Sequence, residues 1–264
     1  MSALDEKIAS GIRVFTSWAE SQMAYSGQPG ISVAVVKDQE VVWSRGFGYA
    51  DIEVEKEASP ETIYRIASIT KLFTSTAIMQ LRDKGKLRIH DPITDHLDWF
   101  EIGEQKGKPI TIENLITHTS GLPREAAGPY WTTVKFPSKE EIIQNLPNQE
   151  HPLKPWRKWK YSNLALSLAG YIVEEASGVP YEDYVETNVF KPLGMNDTFI
   201  KDVPRDHPRL AKGYGRRMPD GSREISEYTS SRGINPAANM ATTVLDLAKF
   251  AMLQFRLDEE DPVL

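Results

Sequence analysis

Two pairs of residues in this chain have the types and the spacing to do chemistry. Ser68 and Lys71 stand three positions apart in Tyr64-Arg-Ile-Ala-Ser-Ile-Thr-Lys71-Leu-Phe, where an extended entry becomes an apolar run through Leu72, Phe73, Ala77, Ile78 and Leu81. Residues so spaced share one helix face. A serine hydroxyl at the first turn of a buried helix, beside an amine held among apolar side chains, is a candidate activated nucleophile. Its own amide would lie near the positive end of the helix, placed to receive an oxyanion. The same two residues also fit a plainer role, with the serine capping the helix and the lysine snorkelling to water. The second pair is Tyr161 and Asn163. A phenol can take up a proton when a nearby ammonium favours its ionised form, and an amide side chain can hold a lysine and a substrate carbonyl in place. Against this stands an aromatic anchor formed by Tyr161 with Trp156 and Trp159, with Asn163 as a helix cap.

The elements that must position these residues are legible from periodicity and punctuation. Leu4, Ile8, Ile12, Phe15, Trp18 and Ala19 recur at helical intervals and predict an amphipathic helix over 3–24, stopped by Gly27, Pro29 and Gly30. The β-branched runs 30–37 and 40–49, joined by Asp38-Gln39, predict a hairpin. The stretch from Ser68 onward predicts a core helix. A short helix is expected from Thr111, and Ser138-Lys-Glu-Glu141 is a capping-box pattern ahead of another. A buried helix is expected from Tyr161-Ser-Asn163 to Ser177, ended by Gly178 and Pro180, and a short one over 181–190. Residues 233–241 read as a loop, with Thr243 capping a last helix.

Composition narrows the function classes. The chain has 264 residues, a formal charge of −6, 40% hydrophobic and 26% charged residues, as in ordinary globular proteins. The negative charge argues against a nucleic-acid partner. No apolar run approaches the ~20 residues that span a bilayer, so no membrane span is expected. The absence of cysteine excludes disulfides and thiolate chemistry, and the five histidines lack ligand spacing. No metal or other cofactor is expected. The first residues do not read as a signal peptide, which predicts a cytoplasmic protein or a processed secreted one.

Taken together, Ser68-x-x-Lys71 and, about ninety residues on, Tyr161-x-Asn163, each opening an apolar helix, form a specific arrangement. It resembles the serine β-lactamase and penicillin-binding-protein superfamily. The tyrosine of Tyr-x-Asn makes it similar to the class C β-lactamase branch with its related esterases and D-amino-acid peptidases. The stretches 115–123, 159–163, 189–195 and 239–250 fit the same likeness, which covers nearly the whole chain. The resemblance implies an α/β (α+β) fold, an antiparallel sheet flanked by helices with an inserted helical region. It also implies roles: Ser68 as the acylated nucleophile, Lys71 as neighbouring base or electrostatic partner, Tyr161 as proton-transfer partner, and Asn163 orienting Lys71 and the substrate amide. For Lys71 to serve as a free base its pKa must be lowered, by burial and by proton sharing with Tyr161. His118, in the family-like turn, is read as a brace for its loop, and Lys154, Arg157, Lys158 and Lys160 as a solvated face.

One element of the likeness is missing. The family's third motif, Lys-Thr-Gly or His-x-Gly, supplies the second oxyanion amide, and this chain has no Lys or His two places before any glycine. The expectation is therefore a chain whose C-terminal strands are absent, a product whose second polypeptide completes the sheet, or a degenerate member. Three regions are expected: 1–60, helix and hairpin; 61–232, mainly helical with the chemical residues; 233–264, a return loop and helix. The leading expectation is a serine hydrolase acting on a small-molecule or peptide ester or amide. The alternative is a catalytically silent binding or scaffold protein.

Overall fold

The computed structural model describes residues 3–128 and 130–256. In chain order the main elements are α1 (Ala3–Ser26), β1 (Gly30–Lys37), β2 (Glu40–Asp51), β3 (Lys56–Glu57), α2 (Thr70–Asp83), α3 (Ile112–Ile116), α4 (Lys139–Asn145), α5 (Asn163–Ser177), α6 (Asn235–Ala238) and α7 (Val244–Leu253). The fold is mixed α/β with antiparallel strands, and the chain forms two compact units. The first comprises 1–64, 205–228 and 243–255; the second comprises 65–204, 229–242 and 256–264. This division differs from cuts at 60 and 232. Residues 257–264 lie outside the described residues.

In the first unit, β1 and β2 pair antiparallel from Gly30↔Gly48 to Lys37↔Glu40, and β3 adds to β2. Asp38 turns the hairpin at φ 54°, a conformation Asp tolerates better than most residues. Phe15 of α1 meets Trp43 and Phe47 on one face of the hairpin, at 6.0 and 6.4 Å between ring centroids. α7 packs on β1, with Gln39 donating to the carbonyl of Met252. The segment 205–228 joins this unit through backbone bonds. Ile63 donates to Arg209, Ala211 to Ile63 and Lys212 to Ala50, at 2.8–2.9 Å. Trp18, expected on the packed stripe of α1, is 57% exposed, while Ala19 is buried. A stripe needs only some of its members covered, and here the small residue sits beneath while the indole leans on Phe15. Leu4 lies outside the residues whose side chains are described.

The second unit is built on α2 and α5. Every residue of α5 from Asn163 to Val173 is buried, because Leu164, Leu166, Leu168, Ile172 and Val173 leave no polar stripe. α5 packs against α2, α3 and α6. Gly170 makes the last contact possible: a Cβ there would stand 2.2 Å from Cγ of Pro236. The expected punctuation is in place. Thr111 and Ser138 cap their helices as full capping boxes, and Gly178 ends α5 at φ 75°; in the first unit Thr243 caps α7. Phe73, Ala77, Ile78 and Leu81 of α2 are buried, but Leu72, expected beside them, is 55% exposed. At about 100° per residue Leu72 falls on the side of the helix opposite the buried face centred on Thr74, Ala77, Ile78 and Leu81.

Candidate active site

Ser68 lies on a single 3-10 turn, Ala67–Ile69, directly before α2. Ala67 holds φ 44°, in the left-handed region, where crowding of Cβ costs an L-residue roughly 1–2 kcal/mol. The turn leaves Ser68 exposed while Lys71, one turn on, is only 7% exposed. What buries Lys71 is the return segment 233–241. Thr70 Oγ1 accepts the N–H of Met240 at 3.1 Å, and Thr74 Oγ1 donates to the carbonyl of Pro236 at 2.6 Å. Lys71 Nζ donates to the carbonyl of Ala237 at 2.7 Å and to Ser68 Oγ at 3.0 Å. Ile66 closes the join through its N–H to Met240, 2.9 Å. Residues 233–241, which read only as a loop, are thus the clamp that fixes the amine.

Tyr161 reaches the same oxygen from the other side of the chain. Its hydroxyl donates to Ser68 Oγ at 2.7 Å, and Lys71 Nζ lies 4.8 Å from the centroid of its ring. Ser162 next to it is the N-cap of α5: its Oγ accepts the N–H of Ala165 and donates to the carbonyl of Pro123 at 2.6 Å. The cap is therefore Ser162, and Asn163 is free for other work. The amide N–H of Asn163 bonds the carbonyl of Arg124, and its Nδ2 donates to Glu125 Oε1, both at 2.7 Å. Its Oδ1 is buried with no hydrogen-bond partner among the described residues, so Asn163 contacts Glu125 where the resemblance implied Lys71.

The electrostatics follow from this packing. Burial holds the Lys71 amine below the ordinary lysine value; the Tyr161 hydroxyl and the Glu125 carboxylate partly offset this, and Arg124 adds to it. Lys160, expected on a solvated face, turns inward to the carbonyl of Leu122 at 2.8 Å, and burial lowers its pKa too. Glu125 and Arg124 were not singled out in the sequence. Glu125 ties Asn163, takes Arg124 Nε at 3.3 Å and accepts from the Tyr130 hydroxyl at 3.4 Å. The signal that could have found them is position: they follow directly on the His118–Pro123 turn that packs beside Tyr161. Among the described residues no group of three or more His, Asp or Glu is arranged to hold a metal ion, and no helix is long and apolar enough to cross a membrane.

The arrangement can activate a serine for attack on a carbonyl. An exposed hydroxyl is held between a buried amine and a phenol, each within hydrogen-bond reach, which is the geometry asked of a nucleophile and its bases. Comparison with known proteins supports the family resemblance. The β-lactamase family model matches residues 15–263. Protein flp of Staphylococcus aureus (strain N315) is 30% identical over 234 residues, covering 88% of this chain and 46% of that protein. The octameric penicillin-binding protein homologue from Pyrococcus abyssi superposes with a TM-score of 0.82 at 33% identity, covering 94% of this chain and 57% of that one. A class C β-lactamase from Rhodobacter sphaeroides, 24% identical, shares the fold with a TM-score of 0.76 over 92% of this chain and 66% of its own. The chain thus spans about half to two thirds of the length of these relatives.

Proposed function

The chain belongs to the serine β-lactamase and penicillin-binding-protein superfamily, and from that premise we propose that it is a serine hydrolase that forms an acyl-enzyme on Ser68 with an ester or amide substrate. The observation that carries the reading is the convergence on one oxygen. Ser68 Oγ lies 3.0 Å from Lys71 Nζ and 2.7 Å from the Tyr161 hydroxyl. With the amine neutral, the 3.0 Å contact runs the other way, and the serine hydroxyl donates its proton to Nζ as Oγ attacks the carbonyl carbon. The Oγ–C bond forms and the bond to the leaving oxygen or nitrogen breaks. The proton passes from Lys71 through Tyr161 to the leaving group. Water, deprotonated by the same pair, then releases the acid and restores Ser68. The backbone amide of Ser68 is assigned as one oxyanion donor, a role worth about 3–4 kcal/mol per donor in serine hydrolases.

Lowering of the lysine pKa supports the base role, because it raises the neutral fraction at working pH. The substrate is an ester or amide of a small molecule or a peptide. The test is labelling with a fluorophosphonate or β-lactone, followed by peptide mapping. A single adduct on the peptide carrying Ser68, absent in Ser68→Ala, is expected. Label on Ser120 or Ser162, or no label at all, would overturn the assignment.

A further inference from the structure

His118 holds Tyr161 from three directions. Its carbonyl accepts the N–H of Lys160 at 2.8 Å, and its ring Nδ1 accepts the N–H of Ser162 at 3.2 Å. The residues on either side of the phenol are therefore bound to one histidine. The imidazole also lies along the phenol ring, with centroids 4.5 Å apart and planes tilted by 35°, and it meets Trp159 edge-on at 5.9 Å. Contacts of this size fix ring orientation as well as filling space.

The histidine is itself held firmly. Its φ of 59° lies in the left-handed region. The turn around it is closed by Trp156, whose N–H bonds the carbonyl of Thr119 at 2.8 Å, and by Leu153 N–H to Gly121. Bracing that turn needs only the backbone: a glycine would adopt the same φ at less cost and offer the same carbonyl to Lys160. What the side chain adds is the Nδ1 acceptor and the stacked ring, and both are directed at Tyr161 and its neighbour. Because Nδ1 accepts, the neutral ring carries its proton on Nε2. A protonated ring would turn a donor toward the Ser162 N–H. It would also set a third cation beside Lys71 and beside Arg124, whose guanidinium lies 5.0 Å from the Tyr161 centroid. The carboxylate in the cluster, Glu125, is engaged with Arg124 and Asn163, and the nearby ammonium of Lys160 is turned to Leu122. Burial and the Lys71 charge push the His118 pKa down to about 4, which keeps the acceptor form across the neutral range.

We propose that His118 is a positioning residue of the Ser68 site: as neutral imidazole it fixes the Tyr161 side chain so that the phenol hydroxyl stays on Ser68 Oγ. The proposal rests on the acyl-serine reading and goes beyond the loop brace, because it assigns the effect to Tyr161 alone. A misplacement of about 1 Å in a reacting group can cost a hundredfold in rate.

The experiment is a double-mutant cycle read by the second-order rate of fluorophosphonate labelling. The proteins are wild type, His118→Gly, Tyr161→Phe and the double variant. His118→Gly keeps the turn, so its thermal midpoint should stay within a few degrees of wild type while labelling slows by about ten- to a hundredfold. In the Tyr161→Phe background the same change should cost less than about threefold, since there is no hydroxyl left to aim. Equal losses in both backgrounds, or wild-type labelling by His118→Gly, would overturn the proposal. Should His118→Gly fail to fold, His118→Asn takes its place in the cycle, since asparagine tolerates positive φ and lacks the ring. Absence of labelling in the wild type would instead defeat the acyl-serine reading, so the two failures are distinguishable.

Discussion

Lys71 and Tyr161 should act as one proton-transfer unit, and the sharing of Ser68 Oγ sets the size of the effect. Tyr161→Phe removes the 2.7 Å bond to Oγ while keeping the ring that stacks on His118 and faces the Lys71 ammonium. Lys71→Met keeps most of the side-chain length but removes the 3.0 Å contact and leaves the carbonyl of Ala237 without its donor. An unsatisfied buried carbonyl costs about 1–3 kcal/mol, so folding must be checked by thermal melting before rates are compared. Each single substitution should slow acylation by about 10²–10⁴, the range of general acid–base catalysis. Independent residues would multiply to about 10⁴–10⁸, whereas residues serving one proton should leave the double variant within about tenfold of the worse single one. The coupling energy is then about 1–5 kcal/mol. The assay is the burst of p-nitrophenol from an activated ester, or fluorophosphonate labelling, across pH. Its sign is also fixed. Burial lowers the Lys71 pKa and the Tyr161 hydroxyl raises it in part, so removing that hydroxyl lowers it further. The residual rate of Tyr161→Phe should therefore rise with pH along a limb shifted to lower pH than in wild type. Multiplicative losses, or a limb shifted upward, would refute the reasoning.

Glu125→Gln removes the carboxylate that pins Asn163 Nδ2 and that raises the Lys71 pKa. The acid limb of the acylation profile should move to lower pH with little change in the plateau, because the glutamine carbonyl can still accept from Asn163 Nδ2; a limb that stays in place or moves up would show that Glu125 does not act on Lys71. Gly170→Ala puts a Cβ 2.2 Å from Pro236 Cγ, in the short helix whose carbonyls hold Thr74 and Lys71. Overpacking of about 1–3 kcal/mol outweighs the helix-propensity gain of up to about 1 kcal/mol, so urea denaturation should report a less stable protein. A variant as stable as wild type would mean that α6 can withdraw from α5 without loss.

Much of the fold was legible because its signals are local. The capping boxes at Thr111 and Ser138, the Gly178 stop and the Asp38-Gln39 turn each determine their own backbone within four residues. Ser68, Lys71 and Tyr161 were legible for a different reason: their types carry the chemistry, and the structure brings all three together. What could not be read was which residues lie across from them. Trp18 and Leu72 match an apolar pattern that says nothing about what covers it, and both are exposed. Asn163 has the right type to hold an ammonium, yet its amide is taken by Glu125, a residue thirty-eight positions away. No periodicity encodes that meeting. It depends on the turn after His118 lying against the start of α5, a join made by Asn163 N–H to Arg124, Ser162 Oγ to Pro123 and Ser162 N–H to His118.

The return segment shows why such distant contacts decide the chemistry. A neutral lysine amine has two N–H donors and one lone pair, and it is a useful base only if the lone pair points at the proton it must take. Rotation about the last carbon–nitrogen bond would otherwise average that direction away. The carbonyl of Ala237, 2.7 Å from Nζ, takes one N–H and so limits the rotation, leaving the lone pair able to face Ser68 Oγ at 3.0 Å. The carbonyl of Pro236, one residue earlier, bonds Thr74 one turn along α2, so the two carbonyls register the short helix α6 against α2 as a pair. Gly170 permits that register by letting Pro236 touch the backbone of α5. A glycine in α5 and two carbonyls in a nine-residue loop thereby orient the amine. The loop that looked least informative in the sequence fixes the direction in which the base acts.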